Sequence, residues 1–222
     1  MPNQVSSQDT PRRVRKKYGP REATVQRRQD ILDAAMKVFA AKGFHGGTLS
    51  DVAELAGMTH AGVLHHFGSK ENLLREVMGY RDSLDSSEKH SAYGLDFFNH
   101  LIATAQQNTA RPGIVQTYVV LSAEAVTEDN PGAAYFAGRF ESLRKEVMGQ
   151  LRTLSPADDP LTDAQLEAAA SNIIALMDGL QVQWLLNPGA VNLVDETVFG
   201  IDAILRSVVA GASSKHIVTT PG

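Results

Sequence analysis

The chain has 222 residues, of which 43% are hydrophobic and 21% charged, and it contains no cysteine. This size and composition are typical of a soluble protein with one large domain or two small ones. The absence of cysteine excludes disulfides, thiolate metal sites and cysteine nucleophiles. The sequence shows neither a secretory signal nor an apolar run long enough to span a membrane. We therefore expect a cytoplasmic protein with no membrane partner.

Charge is unevenly distributed in a chain whose net charge is −4. Up to Met78 there are 12 basic and 8 acidic residues, whereas the rest has 9 basic and 17 acidic ones. A basic end on an acidic protein suggests that this end binds a polyanion. Residues 1–23 are polar and unpatterned, which predicts a flexible basic arm. This arm either reaches a minor groove and its phosphates or serves only as a solubilising tail.

The first predicted element is a helix that starts at Thr24, its N-cap, and stops at Gly43. Two very short helices follow. Thr48 starts the first of them with a capping-box-like pattern, and Thr59 caps the second. Gly68 stops the second short helix, and a longer helix begins directly after it.

The remainder of the chain also reads as helices, with no convincing strand or repeat. Asn130 is predicted to be an N-cap with proline at the next position. Thr162 and Gln165 begin a long apolar helix that extends to about Leu186. A final helix reaches about residue 210, and residues 211–222 are predicted to be a disordered tail. The fold class is all-α.

Two short helices joined by a glycine-containing turn form the helix-turn-helix pattern. In that motif the first helix supports the second, whose exposed face enters the major groove of DNA. We expect His60, Ala61 and His65 to face outward on the second helix. Thr59 lies at its N-terminus, where a hydroxyl and the helix dipole favour a phosphate.

The segment from about residue 26 to 74 resembles the DNA-binding domain of the TetR family of transcriptional regulators. The resemblance rests on the order and spacing of these positions: Ile31, Leu32, Ala34, Ala35, Phe39, Lys42, Gly43, Phe44, Thr48, Asp51, Val52, Ala53, Ala56, Gly57, Thr59, His66, Phe67, Ser69, Lys70, Glu71 and Leu73. It implies a three-helix helix-turn-helix domain over residues 24–70. A larger helical domain over residues 71–210 would bind an effector and dimerise.

The resemblance also indicates which side chains contact DNA, and it shows departures from the family pattern. Lys70 aligns with a family phosphate contact, and a solvated charge is the alternative. Leu64 stands where the family commonly has a phosphate-binding tyrosine, so His60 or His65 would take over that contact. His66 is expected to be a half-buried packing residue. The complete set of predicted DNA-binding residues is Thr48, Thr59, His60, Ala61, Gly62, His65 and Lys70.

Metal and cofactor sites are not predicted. The histidines at positions 60, 65 and 66 are not spaced to place three ligands on one helix face. The alternative of an all-α enzyme needs a nucleophile–base pair or a metal cluster, and the sequence has neither an HExxH nor a GxSxG pattern. We therefore expect a protein that is not an enzyme.

The long helix over residues 163–186 is apolar on both faces, which predicts burial on both sides. One face carries Leu166, Ala170, Ile173, Met177, Leu180 and Trp184. The opposite face carries Ala175, Gly179, Val182 and Leu186, whose small members would let a partner helix approach. The family resemblance implies a homodimer built from the last two helices of each subunit. Ile201 and Leu205 would be the contribution of the last helix.

Polar groups on apolar helices predict an effector pocket in the larger domain. The candidate residues are Tyr118, Tyr135, Phe136, Arg139, Met177, Asp178, Gln181 and Trp184. Each aromatic could instead be ordinary core, and Asp178 could be a structural bridge to another helix. The sequence thus predicts a homodimeric regulator, a repressor, that an unknown small molecule releases from its DNA operator. A DNA-binding protein without an effector is the remaining alternative.

Overall fold

The computed structural model describes residues 20–85 and 93–211, with side chains over 23–84 and 93–211. Within those ranges it contains helices and no strand, which confirms the all-α prediction. The predicted arm up to residue 19 and the tail from residue 212 lie outside the described residues. In chain order the helices are α1 (Pro20–Gly46), α2 (Leu49–Leu55), α3 (His60–Phe67), α4 (Lys70–Asp85), α5 (Leu95–Thr109), α6 (Pro112–Glu124), α7 (Ala133–Leu154), α8 (Asp163–Leu186) and α9 (Leu193–Val209).

Two predicted boundaries are wrong. Helix α1 begins at Pro20, so Thr24 is not its N-cap, and residues 20–23 belong to the helix and not to the arm. Proline is tolerated in a first helical turn, and the residues after it are good helix formers. At the other end Gly211, assigned to the tail, is buried against Asp159.

The predicted starts of the two short helices are confirmed. The Thr48 hydroxyl accepts a hydrogen bond from the Asp51 N–H at 3.1 Å, and the Asp51 carboxylate accepts one from the Thr48 N–H at 2.9 Å. The Thr59 hydroxyl likewise accepts from the Gly62 N–H at 3.1 Å. Gly68 ends α3 with φ 75°, a conformation that favours glycine.

The later boundaries are confirmed at one helix and corrected at another. Thr162 and Gln165 form the predicted capping box of α8. Asn130, by contrast, lies before the N-cap of α7, which is Gly132. The Asn130 side chain accepts a hydrogen bond from the Gly132 N–H at 2.8 Å and so forms a turn ahead of the helix.

Helices α1 and α6 join the short helices to the rest of the molecule. The Thr117 hydroxyl of α6 donates to the carbonyl of Met36 at 3.1 Å, and the Gln116 amide donates to the carbonyl of Ala40 at 3.2 Å. The Phe44 N–H donates to the Glu124 carboxylate at the end of α6. A Cβ at Gly43 would overlap that carboxylate, and φ there is 69°, so the position requires glycine.

Apolar residues form one core under the N-terminal helices and a second one between α5, α7, α8 and α9. The first core includes Tyr118 and Phe136 from α6 and α7 beside residues of α1 to α4. A smaller cluster surrounds Trp184. Residues of α6 and α7 thus pack in the same core as the two short helices.

Candidate DNA-binding surface and central cavity

The outward face of α3 is the first candidate site. His60, Ala61 and His65 are exposed, whereas Val63 and Phe67 are buried at 0% and 6% exposure. The helix is therefore oriented as its sequence predicts, with its apolar side in the first core beside residues of α1, α2 and α4. The exposed side presents two imidazoles that a double helix could contact.

Ser50 is a member of this surface that the sequence did not indicate. Its hydroxyl lies 3.1 Å from the Nδ1 atom of His60. The bond joins the first turn of α2 to the first turn of α3, and it holds the His60 ring in place. The spacing of residues in the sequence does not predict this hydrogen bond, because it depends on how α2 and α3 cross.

The two N-cap threonines differ in what their hydroxyl hydrogens bind. Thr48 donates its O–H to the Asp51 carboxylate at 2.8 Å. Thr59 only accepts in its cap, so its hydrogen stays available to an outside acceptor. A hydrogen bond from Lys42, whose Nζ lies 2.8 Å from Oδ1, and two from Thr48 lower the pKa of Asp51 to about 2. Among the described residues, the hydroxyl hydrogen of Thr48 has an acceptor and that of Thr59 has none.

Lys70 contacts the end of α1 and is not a freely solvated charge. Its Nζ lies 4.4 Å from the centre of the Phe44 ring and 3.4 Å from the carbonyl oxygen of His45. These contacts attach the first residue of α4 to the end of α1. A half-buried ammonium held in this way remains able to attract a phosphate with its other hydrogens.

His66 is half-buried, as predicted for a packing residue. Its carbonyl accepts a hydrogen bond from Arg28 at 2.9 Å, and the Arg28 guanidinium lies 4.3 Å from the centre of the Phe67 ring. Arg28 also pairs with Glu76 of α4 at 2.9 Å. Burial and the neighbouring cationic side chains lower the pKa of the His66 imidazole. The ring is thus kept neutral inside a basic region.

The second candidate site is a cavity of about 80 Å³ between α4, α5, α7 and α8. Its apolar walls are Leu101, Leu143, Val147, Ile173, Ile174 and Met177, and its main polar groups are Arg81, Asn108, Arg139 and Gln181. An apolar wall with a few polar groups is the usual character of a small-molecule site. The volume is well below that of an occupied ligand pocket, which is typically about 300–1,000 Å³. A ligand would therefore have to enlarge it.

A network of charged and phenolic groups borders the cavity. Asp82 of α4 accepts hydrogen bonds from Arg81 at 3.2 Å, from Arg139 at 2.5 Å and from the Tyr135 hydroxyl. The same Arg81 guanidinium lies 4.4 Å from the centre of the Tyr118 ring. Helices α4 and α7 are thus joined by a half-buried ion-pair cluster, which needs its hydrogen bonds to offset the cost of burial.

The Tyr118 hydroxyl donates to Asp178 Oδ2 at 3.2 Å and so joins α6 to α8. Burial and the nearby Asp178 raise the pKa of Tyr118 to about 12. Burial also raises the pKa of the Asp178 carboxyl above its usual range. The sequence allowed Asp178 to be either an effector contact or a structural bridge to another helix. The hydrogen bond to Tyr118 is such a bridge.

Among the predicted effector residues, the cavity is lined by Arg139, Met177 and Gln181. Tyr118, Tyr135 and Asp178 belong to the bordering network. Phe136 and Trp184 lie elsewhere: Phe136 packs in the first core, and Trp184 in its separate cluster with Leu180 and Leu193.

The sequence did not lead us to three residues of the cavity and its network, Arg81, Asp82 and Asn108. The positions of Arg81 and Asn108 nevertheless carry a signal. Arg81 comes four residues after the buried Val77, and Asn108 seven after Leu101, so each is a polar residue at a position expected to face the core. The structure buries both, at 4% and 1% exposure.

The outer face of α8 and α9 is the third candidate site. Ala175, Val182 and Leu186 are exposed and Gly179 is half-buried with open space around it, as a partner surface requires. Ile201 is a wrong prediction, because it is 1% exposed within the subunit's own core. Leu205 is half-buried and packs on that core. Val198 and Phe199 are exposed residues of α9, at 40% and 78%, and they border a groove between α5 and α9.

Some further features bear on function. A groove of about 650 Å³ between α1 and α6 is larger than the cavity, but it includes exposed residues such as Lys37 and Gln116 and lies at the surface. Within the described residues, no group of acidic or histidine side chains is arranged to hold a metal ion. In the same part of the chain, no helix combines the length and hydrophobicity of a membrane span.

The structure combines a helix-turn-helix, whose second helix has an exposed face, with a helical domain that contains an internal cavity. This combination is typical of a ligand-responsive transcriptional regulator. Residues 31–77 match the family described as bacterial regulatory proteins, TetR family. Residues 100–199 match the family described as BetI-type transcriptional repressor, C-terminal. The chain belongs to the TetR family of DNA-binding transcriptional regulators, as its N-terminal motif indicated.

Several relatives span nearly the whole chain. The HTH-type transcriptional regulator BetI of Rhizobium meliloti is 27% identical over 198 residues, covering 86% of this chain and 93% of the relative. The HTH-type transcriptional regulator TtgR of Pseudomonas putida is 26% identical over 198 residues, covering 82% and 91%. The structure of the SmeT–triclosan complex matches with a TM-score of 0.65 at 20% identity, covering 89% of this chain and 96% of that one. This last likeness establishes the fold.

Proposed function

We propose that the protein is a homodimeric repressor that binds an operator through α3 and leaves it when a small molecule enters the central cavity. The observation that carries the proposal is the exposed face formed by His60, Ala61 and His65 on a helix whose other side is fully anchored. A rigid helix with a free polar face is what the major groove accommodates. We infer that a protein with this role acts in the cytoplasm, where it meets its operator.

The DNA contacts divide into base readout and phosphate contacts. His60 and His65 are the candidates for base edges, and Ala61 and Gly62 allow close approach because their side chains are small or absent. Thr59 supplies a hydroxyl donor for a phosphate. Thr48 and Lys70 would contribute to phosphate binding at the flanks of α3, Thr48 only if its hydroxyl turns away from the Asp51 carboxylate.

Dimerisation through α8 and α9 would place two copies of α3 on one side of the assembly. Ala175, Gly179, Val182 and Leu186 would meet their counterparts, together with Phe199. Removing this apolar area from water is the driving force. A two-fold axis then predicts a pseudo-palindromic operator with half-sites separated by about one helical turn or a multiple of it.

The route from the cavity to α3 passes along two helices. Helix α4 carries Arg81 at the cavity and Lys70 beside α1. Helix α6 carries Tyr118 at the bordering network and Thr117 against α1. Since the cavity must expand to admit a ligand, the ligand favours a state in which α4 and α6 have moved. It releases DNA only by binding that state more tightly.

The relatives support a role in regulation by a small molecule. SmeT, named as the repressor of the Stenotrophomonas maltophilia multidrug efflux pump SmeDEF, has been captured with triclosan on the same fold. The C-terminal half of this chain matches the BetI-type repressor family. These relatives are transcriptional regulators, and we infer that this protein acts by binding and not by catalysis.

The test is to let the protein select an operator from a random pool of double-stranded DNA and to map the contacts by footprinting. We expect enrichment of a pseudo-palindrome protected on two successive major grooves. His60→Ala should lower the affinity for the selected sequence much more than the affinity for random DNA. A protein that enriches no sequence would overturn the proposal.

A further inference from the structure

Three buried polar atoms at the cavity have no hydrogen-bond partner among the described residues. They are Nε of Arg139, Nδ2 of Asn108 and Oε1 of Gln181. All three side chains line the cavity. Asn108 is 1% exposed and Gln181 5%. Buried polar groups are nearly always paired in proteins, so the two donors among them, on Arg139 and Asn108, point to a ligand that supplies an acceptor.

The amide orientation of Asn108 follows from its neighbour. Its Oδ1 accepts a hydrogen bond from Arg111 at 3.2 Å, and a guanidinium can only donate. The Nδ2 atom of Asn108 is therefore a donor. Arg139 Nε is also a donor, so the cavity offers at least two hydrogen bonds to an acceptor on the ligand.

The charges around the cavity favour an anion. Arg81 and Arg139 both donate to one oxygen of a single carboxylate, that of Asp82. The other nearby carboxylate, Asp178, has one oxygen bonded to Tyr118. Among the residues that line the cavity, the charged ones are Arg81 and Arg139, and neither carboxylate is a lining residue. Both guanidinium groups would therefore attract an anion inside the cavity, whereas a cation would be repelled.

We propose that the effector carries a carboxylate on a small apolar body. The carboxylate accepts from Arg139 and Asn108, and the body packs on Ile173, Met177 and Leu143. This assignment rests on the proposed function of the cavity as the effector site. A volume of about 80 Å³ holds only a few atoms, so the compound is a small aliphatic or aromatic acid whose body enlarges the cavity.

The test is a grid of nine probes. Isobutyl, phenyl and heptyl groups are each presented as carboxylate, carboxamide and ammonium compounds, and binding to the full chain is measured by isothermal titration calorimetry. We expect at least one carboxylate to bind about tenfold or more tightly than its amide, with no binding of the corresponding ammonium. Equal or tighter binding of amides or ammonium compounds would overturn the assignment, and so would the failure of every carboxylate at millimolar concentration.

A charge substitution sharpens the test. Asn108→Asp keeps an acceptor for Arg111 but replaces the free donor with a carboxylate oxygen, so the carboxylate should lose at least tenfold in affinity. Asn99→Asp is the matched control, because it makes the same change at an exposed position of α5 and should bind the carboxylate as before. If Asn108→Asp does not fold, Asn108→Leu removes the same donor without adding a charge and makes the same test. Unchanged carboxylate affinity in a folded cavity variant would contradict the site.

Operator binding separates this inference from the proposed function. The same proteins are titrated with the selected operator without any probe and then with the bound carboxylate. Operator binding without preference for carboxylates overturns only the effector class. Carboxylate binding by a protein that selects no operator overturns the proposed function and leaves the effector class supported.

Discussion

The hydroxyl of Tyr118 donates a hydrogen bond to Oδ2 of Asp178 at 3.2 Å, and this contact joins α6 to α8 beside the central cavity. Tyr118 is 2% exposed, so its hydroxyl has little access to water as an alternative partner. The same helix α6 lies against α1 of the DNA-binding unit through the hydroxyl of Thr117. Asp178 is therefore placed to affect both the stability of the fold and its response to a ligand.

The first prediction concerns stability at Asp178. Asp178→Ala removes the acceptor of the buried Tyr118 hydroxyl, and we expect a loss of about 1–3 kcal/mol in the free energy of unfolding. Asp178→Asn keeps an acceptor for that hydroxyl and should be at least as stable as the unchanged protein. Chemical denaturation measures both variants, with the exposed Asp158→Asn as control. Equal stability of the Ala and Asn variants would mean that the bond contributes little.

The pH dependence of stability should also change at this residue. Burial raises the pKa of Asp178 above its ordinary value of 3.8, so the folded protein binds a proton that the unfolded chain has released. This stabilisation is complete below 3.8 and is lost as the pH rises through the folded pKa. Asp178→Asn should lack that loss, so its stability relative to the unchanged protein should increase from acidic to neutral pH. Thermal unfolding across that range provides the measurement.

The dimer surface is tested at Gly179. A Cβ added there meets nothing within 4 Å in the subunit, so Gly179→Arg should fold normally. An arginine on the proposed α8 face would then carry a buried charge into the interface and convert dimer to monomer. Gly149→Arg is the matched control, since that glycine also has open space around it on another helix. Sedimentation velocity reports the result, and a Gly179→Arg dimer would rule out this interface.

The recognition face is tested at three histidines. His60→Ala and His65→Ala should each weaken specific operator binding by about 1–3 kcal/mol if the contact is to a base edge. His66→Ala should leave binding nearly unchanged, because the half-buried ring packs inside and only its carbonyl bonds Arg28. That variant should instead have a lower Tm. Fluorescence anisotropy with the selected operator, read beside melting curves, distinguishes these outcomes, and the reverse pattern would mean that α3 is turned the other way.

The basic arm is tested by truncation. Removing residues 1–19 takes away the arm and leaves α1 intact from Pro20. If the arm binds DNA, the slope of log affinity against log salt should flatten by about one unit for each phosphate that the arm neutralises. A slope identical to that of the full chain would show that the arm is only a tail.

Residues close together in the chain explain the helix starts that the sequence predicted correctly. Thr48 with Asp51 and Thr162 with Gln165 form capping boxes within one helical turn, so the partners are in reach whatever the rest of the chain does. The stop at Gly68 is likewise a property of the glycine backbone. The orientation of α3 followed from its own apolar spacing, because a single face had to be buried.

The contacts between distant helices could only be decided by the tertiary structure. Both sides of α9 carry apolar residues, so its sequence could not show that Ile201 faces the core and Phe199 the outside. The packing of α9 on α8 determines which residues face the core. Gly200 lies against Leu176 of α8, and a Cβ at position 200 would overlap that side chain. The ion pairs of Asp82 with Arg81 and Arg139 likewise depend on how α4 and α7 approach. Local bonds form within one helical turn, whereas these partners meet only after the helices have packed.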